Sequence, residues 1–151
     1  MITNERQYRI TSAQLEKLKM AIDTFEIKAA TERTKSKILA KAELEALRSE
    51  YENLSMQLLE YETLKSGTVE ILKAANLEEV PSILIRARIV KGFSQRRLAE
   101  AIGLKEQQIQ RYEAEEYASA NLQRLAEVAN ALGLHISEVA EFRAISQKPL
   151  D

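Results

Sequence analysis

The chain has 151 residues, a formal net charge of −1, no cysteine and a single histidine, His135. The lack of cysteine excludes a disulfide framework, a thiol nucleophile and cysteine-ligated zinc or iron–sulfur sites, and one histidine argues against a histidine metal cluster or a serine–histidine triad. No apolar run approaches the roughly 18–20 residues of a membrane span, and the first residues lack the apolar core of a signal peptide. We therefore expect a cytoplasmic protein without enzymatic activity, metal, cofactor or membrane attachment.

The composition predicts an all-α fold. Only 4 glycines and 2 prolines interrupt a chain that is 45% apolar and 30% charged, and most of its residues are strong helix formers. A first helix is predicted after Thr11 or Ser12, either of which is a suitable N-cap, and Thr11 with Gln14 fits a capping box. The polar segment 31–37 predicts a turn or a frayed segment. Apolar residues of the first helix form one narrow stripe: Leu15, Leu18, Ile22, Phe25 and Ala29.

A second, longer helix is predicted to end at Ser66 and Gly67. Its heptad-like spacing predicts a coiled-coil seam, so the two helices are expected to form an antiparallel hairpin over residues 1–66. This hairpin carries 11 basic and 11 acidic residues, and a neutral surface favours dimerisation or binding of a partner protein. The stripe that carries the prediction is Leu44, Leu47, Tyr51, Leu54, Leu58, Tyr61 and Leu64.

The connector, residues 67–80, leaves two alternatives open. Thr68 is suited to capping a short helix that runs through Ala75 and stops at Asn76, whereas the run 69–72 also fits a short extended piece. Five short helices are then predicted over residues 81–145, with a tail at 146–151. Their boundaries are Pro81 and Gly92, Ser94 and Gly103, Lys105 and Glu113, Ser119 and Gly133, and a last helix after Ser137 that carries Val139, Ala140 and Phe142.

The segment Ser94 to Glu113 has the pattern of a helix-turn-helix. Two short helices are joined by a tight turn at Gly103, which can take a positive φ. The alternative is an ordinary amphipathic pair in a helical bundle. Local charge favours the first interpretation, because Arg86 to Arg111 holds seven basic and two acidic residues, a net of +5 in a chain of −1. The side chains predicted to face inward are Leu98, Ala99, Ile102 and Ile109.

From about Ile83 to Leu134 the chain resembles the Cro and phage-repressor type of helix-turn-helix protein, also called the Xre family. The resemblance is carried by RARIVKGFSQRRLAEAIGL, KEQQIQRYE and LQRLAEVANALGL, in that order. It implies a five-helix, lambda-repressor-like DNA-binding domain. The loop AEEYASAN departs from the family, in which this loop often carries glycine and proline.

The helix after Gly103 is expected to enter the major groove of double-stranded DNA. Glutamine can pair with adenine, and arginine or lysine with guanine, so the predicted base readers are Gln107 and Gln110, then Lys105, Glu106 and Arg111, with Gln108 facing sideways. The predicted phosphate contacts are Ser94, Gln95, Arg96 and Arg97. The resemblance also implies an internal salt bridge between Arg88 and Glu113.

Other polar residues are given structural roles. We expect His135 to lie at a helix end or on the surface, and Tyr112 to pack. The carboxylates Glu113, Glu115 and Glu116 are read as a solvated acidic turn, because no histidine or second carboxylate group accompanies them.

Three hypotheses about function follow. The leading one is a sequence-specific transcriptional regulator, a repressor that binds a palindromic operator as a homodimer. Within it, the chain resembles antitoxins of the HigA kind, which implies a type II toxin–antitoxin pair and a toxin protein as partner. The alternative from a different class is a helical adaptor or coactivator whose bundle binds proteins without sequence-specific DNA binding.

Overall fold

The structure is a computed structural model that describes residues 1–137, and within them all regular structure is helical. The predicted fifth helix of the C-terminal half, with Val139, Ala140 and Phe142, and the tail 146–151 lie outside the described residues. The α-helices are α1 (Glu5–Asp23), α2 (Ile27–Thr34), α3 (Lys37–Lys65), α4 (Val80–Val90), α5 (Gln95–Ala101), α6 (Glu106–Ala114) and α7 (Leu122–Leu132). The all-α fold is confirmed. Within 1–137, no helix is both long and apolar enough to cross a membrane.

The first helix begins earlier than predicted, because Asn4 rather than Thr11 or Ser12 is its N-cap. The Asn4 side chain accepts a hydrogen bond from the Gln7 backbone N–H at 2.9 Å, and the Thr3 N–H donates to Gln7 Oε1 at 2.8 Å. The first bond satisfies an orphan donor of the first turn, and the second ties the residue before the N-cap to the helix. Thr11 and Ser12 therefore lie inside α1, and the predicted capping box with Gln14 is wrong.

The segment 31–37, predicted as a turn or a frayed segment, is largely helical. Thr31 and Thr34 belong to α2, and their hydroxyls donate to the carbonyls of Ile27 and Ala30 at 2.7 and 2.8 Å. The chain reverses only at Lys35, whose φ of 55° is left-handed, before Ser36 caps α3. The hairpin consequently has three helices, with the short α2 packed against α3 near its start.

The long helices α1 and α3 run antiparallel, as the heptad-like stripe predicted. At one end the Tyr8 hydroxyl donates to Glu62 Oε1 at 2.5 Å, and Lys65 forms an ion pair with Glu5. At the other end Ile22 and Tyr51 line a common cleft. The predicted end of the second helix is confirmed, because α3 stops at Lys65 and Ser66 is its C-cap.

The short helix that was one alternative for the connector does not form, since residues 68–74 are neither helix nor paired strand. The other alternative, a short extended piece over 69–72, stays a prediction. Asn76 was expected to stop a helix, but its side chain accepts from the Glu79 N–H at 3.2 Å and starts a short 3₁₀ turn, Leu77–Glu79. This turn leads directly into α4, where Pro81 occupies the first turn as predicted. Val69 and Leu72 are half-buried against the main core and tie the connector to it.

The hydrophobic core lies in the C-terminal half and extends into the hairpin. Its fully buried side chains come from the four described helices of that half, and Ile2, Leu58, Tyr61 and Leu64 of the N-terminal segment join the same cluster. An ion pair between Arg86 and Glu60, 2.9 Å long, spans α4 and α3 at its edge. The fully buried members are Leu84, Ile85, Leu98, Ile109 and Val128.

Candidate nucleic-acid interface

The turn between α5 and α6 fixes the angle of the candidate reading helix. Gly103 has φ +70°, a conformation that costs other residues roughly 1–2 kcal/mol. The Leu104 N–H then donates to the Ala99 carbonyl at 2.8 Å and closes the end of α5. Leu98, Ala99 and Ile109 are buried as predicted, whereas Ile102 is half-buried at the rim.

The five predicted base readers share one exposed surface of α6 and its N-cap. Within this surface the Gln110 side chain donates to Glu106 Oε1 at 3.2 Å, one helical turn earlier. Gln108 behaves differently, because it is half-buried and its Oε1 accepts from the Lys105 N–H at 3.0 Å. It therefore caps α6, in keeping with the sideways orientation predicted for it. The exposed side chains are Lys105, Glu106, Gln107, Gln110 and Arg111.

Two of the predicted phosphate contacts are exposed arginines, and the other two side chains already form hydrogen bonds within the protein. Arg96 and Arg97 are exposed on the first turn of α5. The Arg97 guanidinium lies over the Phe93 ring at 4.2 Å, an arrangement that limits its freedom. Arg96 donates to Glu100 at 2.9 Å, and this hydrogen bond raises the pKa of the guanidinium further.

Ser94 and Gln95 are engaged within the protein. The Ser94 hydroxyl caps α5 by accepting from the Arg97 N–H at 3.0 Å, which confirms its predicted capping role. Gln95 is buried, and its Nε2 donates to Glu113 Oε2 at 2.8 Å. A phosphate contact by Gln95 stays a prediction, and the donors left for it are the second N–H of that amide and the backbone N–H at the start of α5.

Arg88 and Glu113 form the internal salt bridge that the family resemblance implied. The Arg88 Nε and Nη2 atoms donate to the two carboxylate oxygens at 2.5 and 2.7 Å, and both side chains are at most 3% exposed. The remaining guanidinium donors reach the carbonyls of Phe93 and Thr3, each at 2.7 Å. This network joins the start of α5 and the end of α6 through one buried cation.

Of the three carboxylates read as a solvated turn, Glu113 is buried and paired, while Glu115 and Glu116 are exposed. The loop after α6 takes left-handed conformations at Glu116 (φ 48°) and Tyr117 (φ 59°). Tyr117 is 2% exposed, stacks on Tyr112 with ring centroids 5.6 Å apart, and anchors the loop. Burial raises the pKa of its phenol. Asn121, not Ser119, caps α7 by accepting from the Arg124 N–H at 2.9 Å.

A groove that was not predicted from the sequence borders α6, the candidate reading helix. An open groove of about 1080 Å³ separates the first turns of α1 from the starts of α5 and α6. Arg6 and Arg9 line one wall, and Gln95, Glu106 and Gln110 line the other. The predicted helix start at Thr11 left these arginines outside any element, and only the long-range packing of residues 1–4 places them here.

Residues 84–139 match the family model described as helix-turn-helix. The match begins inside α4 and runs through α7, so this part of the chain is similar to helix-turn-helix domains, a DNA-binding fold found in transcription regulators. No curated protein and no solved structure matches the chain. Within residues 1–137, no group of three or more histidine, aspartate or glutamate side chains is arranged to hold a metal ion.

Proposed function

We propose that this protein is a sequence-specific, DNA-binding transcriptional regulator that acts as a repressor. One observation carries the proposal: the five polar side chains predicted to read bases lie together, exposed, on the second helix of a matched helix-turn-helix. An ordinary bundle helix needs only a generic charged surface. Here the surface holds glutamine, lysine and arginine, whose donors and acceptors match base edges in the major groove.

The surrounding charge supports binding to the DNA backbone. The segment from Arg86 to Arg111 has a net charge of +5, and two of its arginines, Arg96 and Arg97, are exposed on the first turn of α5. Neutralising phosphates releases counterions and supplies affinity that does not depend on sequence. Base contacts then add discrimination of about 1–3 kcal/mol for each well-formed pair.

Two substitutions separate these contributions. Gln107→Ala should weaken binding to the protein's own promoter while leaving binding to a shuffled duplex unchanged. Arg96→Ala should weaken both to the same extent and reduce the salt slope by about one. Arg33→Ala is the matched control, because Arg33 is also an exposed, ion-paired arginine (66% exposed side chain) but lies in the hairpin. Fluorescence anisotropy with labelled duplexes measures all three.

The same experiment tests the adaptor alternative. An adaptor that uses this bundle only for protein contacts would show no dependence on Gln107 and equal affinity for both duplexes. Either result would overturn the proposal.

We also propose that the protein binds DNA as a homodimer on a palindromic operator, since helix-turn-helix proteins pair two half-sites about one helical turn apart. The hairpin supports a protein contact because it exposes large apolar side chains, among them Met56 (71%) and Leu59 (64%) on one side of α3. Light scattering on the full chain tests this, and a monomer at high concentration would contradict it.

An antitoxin role is a narrower form of the proposal, in which the hairpin binds a toxin protein. The exposed apolar residues of α2 and α3, Ile27, Ile38 and Leu39, favour such a partner surface. Co-purification with the product of the adjacent gene tests it. Failure of a toxin-like neighbour to bind would remove the antitoxin role and leave the regulator intact.

A further inference from the structure

We propose that the first turns of α1 form a third DNA-contacting element, in which Arg6 and Arg9 bind phosphates of the duplex that α6 reads. The inference rests on the proposed function and extends it to a part of the chain outside the helix-turn-helix match. It starts from the groove of about 1080 Å³ that the α1 arginines share with Gln95, Glu106 and Gln110.

The position of α1 relative to α6 is fixed by buried contacts. Ile2 is 3% exposed and belongs to the main core, and the Thr3 carbonyl accepts from Arg88 Nη2 at 2.7 Å. Because Arg88 also binds Glu113 on α6, one guanidinium connects the segment before α1 to the candidate reading helix. The first turn of α1 is thus held beside α6 and is not a loose arm.

Arg6 and Arg9 are suited to phosphate binding by spacing and exposure. Residues three apart are neighbours on a helix surface, and both side chains are exposed. Neither forms an ion pair with another residue of the described segment 1–137. The acidic neighbour Glu5 is paired with Lys65, which lines the same groove, so neither arginine is the ion-pair partner of that carboxylate.

A duplex read by α6 would have a sugar–phosphate strand beside that helix, and α1 lines the same groove as α6. The major groove is about 12 Å wide, so the sugar–phosphate strands that border it run beside any helix inserted into it. A basic element separated from α6 by an open groove therefore stands on the path of one strand. The acids on the opposite wall, Glu106 and Glu116, disfavour a phosphate bound near them and direct the strand toward α1.

The test uses the full chain with Arg6→Ala and Arg9→Ala combined. Binding to the promoter duplex and to a shuffled duplex is measured by anisotropy over about 50–200 mM salt. We expect both affinities to fall by the same factor and the slope of log K against log salt to decrease in magnitude by about 1.8, or about 0.9 per phosphate contact. The paired Arg6→Lys and Arg9→Lys variant should retain the wild-type slope.

Lys19→Ala is the matched control, because it removes one cation from the same helix roughly 15 Å beyond Arg9 and lines a cleft at the far end of the hairpin. Its slope should equal that of the wild type. An unchanged slope in the double variant, with Arg96→Ala still reducing it, would overturn this inference and leave the regulator. If the wild-type protein shows no salt-dependent DNA binding, the proposed function itself fails.

Discussion

At the scale of single residues, the Arg88 guanidinium is the most constrained cation in the domain. It binds both oxygens of Glu113 and the carbonyls of Phe93 and Thr3, and Gln95 donates to the same carboxylate. A buried ion pair is no guarantee of net stability, but removing one member leaves an uncompensated buried charge. The network therefore holds α5, α6 and the N-terminal segment in one arrangement.

We predict that Glu113→Gln lowers the free energy of unfolding by about 3–5 kcal/mol, because Arg88 loses its countercharge in a site where it is 3% exposed. Urea denaturation followed by circular dichroism measures this. Glu43→Gln is the control, since Glu43 pairs with Arg33 on the surface and its loss should change stability by less than about 0.5 kcal/mol. Equal effects of the two substitutions would contradict the structural role of the network.

The resemblance to a family predicted the Arg88–Glu113 pair. The position of Ser94 at a helix start was predicted from the residue type alone, because serine is a common N-cap. The sequence did not predict that Gln95 turns inward to Glu113. A polar side chain at an N-terminal helical position is usually exposed, and only the spatial position of Glu113 decides otherwise.

At the scale of elements, the helix ends marked by glycine were predicted, whereas the asparagine caps that start α1 and α7 were missed. Gly67, Gly92, Gly103 and Gly133 all have positive φ just after helices. Glycine commonly ends a helix in this left-handed conformation, so these helix ends could be predicted from the glycines alone. The Asn4 cap with Gln7 is a local signal, but it precedes the apolar stripe that begins at Leu15. The first turn of α1 packs instead through Tyr8, whose ring lies 5.4 Å from that of Tyr61. No apolar periodicity within residues 1–10 reports a partner so far along the chain.

The two possible starts of α1 make different predictions. Asn4→Ala should lower the free energy of unfolding by about 1 kcal/mol, because it removes the side-chain acceptor for the Gln7 N–H. Thr11→Ala should lower it by less than about 0.5 kcal/mol, because Thr11 lies within the helix and alanine is the better helix former. A larger loss for Thr11→Ala, measured by urea denaturation, would contradict this start of α1.

At the scale of the whole molecule, the hairpin and the helix-turn-helix domain share one core. Leu58, Tyr61 and Leu64 of α3 are buried in the same cluster as Leu84 and Val128. The boundaries predicted at residues 66 and 80 stay predictions, yet the contacts across them show that the two parts are packed together. Apolar periodicity predicted a buried face for the hairpin and another for the helix-turn-helix domain. It could not predict that these two faces pack against each other.

We predict that Leu64→Ala lowers stability by about 2–5 kcal/mol and moves the unfolding of both parts together. Hydrogen exchange of amides in α1 and α7 reports on the two parts separately. Leu122→Ala is the matched control, since this leucine of α7 is 75% exposed and lies outside the surfaces proposed for partner contacts. Loss of protection in α1 alone would show that the hairpin unfolds independently of the domain.

The net charge of −1 for the whole molecule hides large differences between its segments. It is the sum of a neutral hairpin, a helix-turn-helix segment of +5 and acidic flanks, so it does not oppose DNA binding. The fold brings Arg6 and Arg9 from the neutral hairpin to the border of the basic segment.

The most direct test of the central claim is the ratio of two dissociation constants for the full chain at about 0.15 M salt, one for its own promoter duplex and one for a shuffled duplex. Specific helix-turn-helix proteins prefer their operators by about 10³-fold or more, and we predict a ratio of that order. Equal dissociation constants for the two duplexes would contradict sequence-specific regulation by this protein.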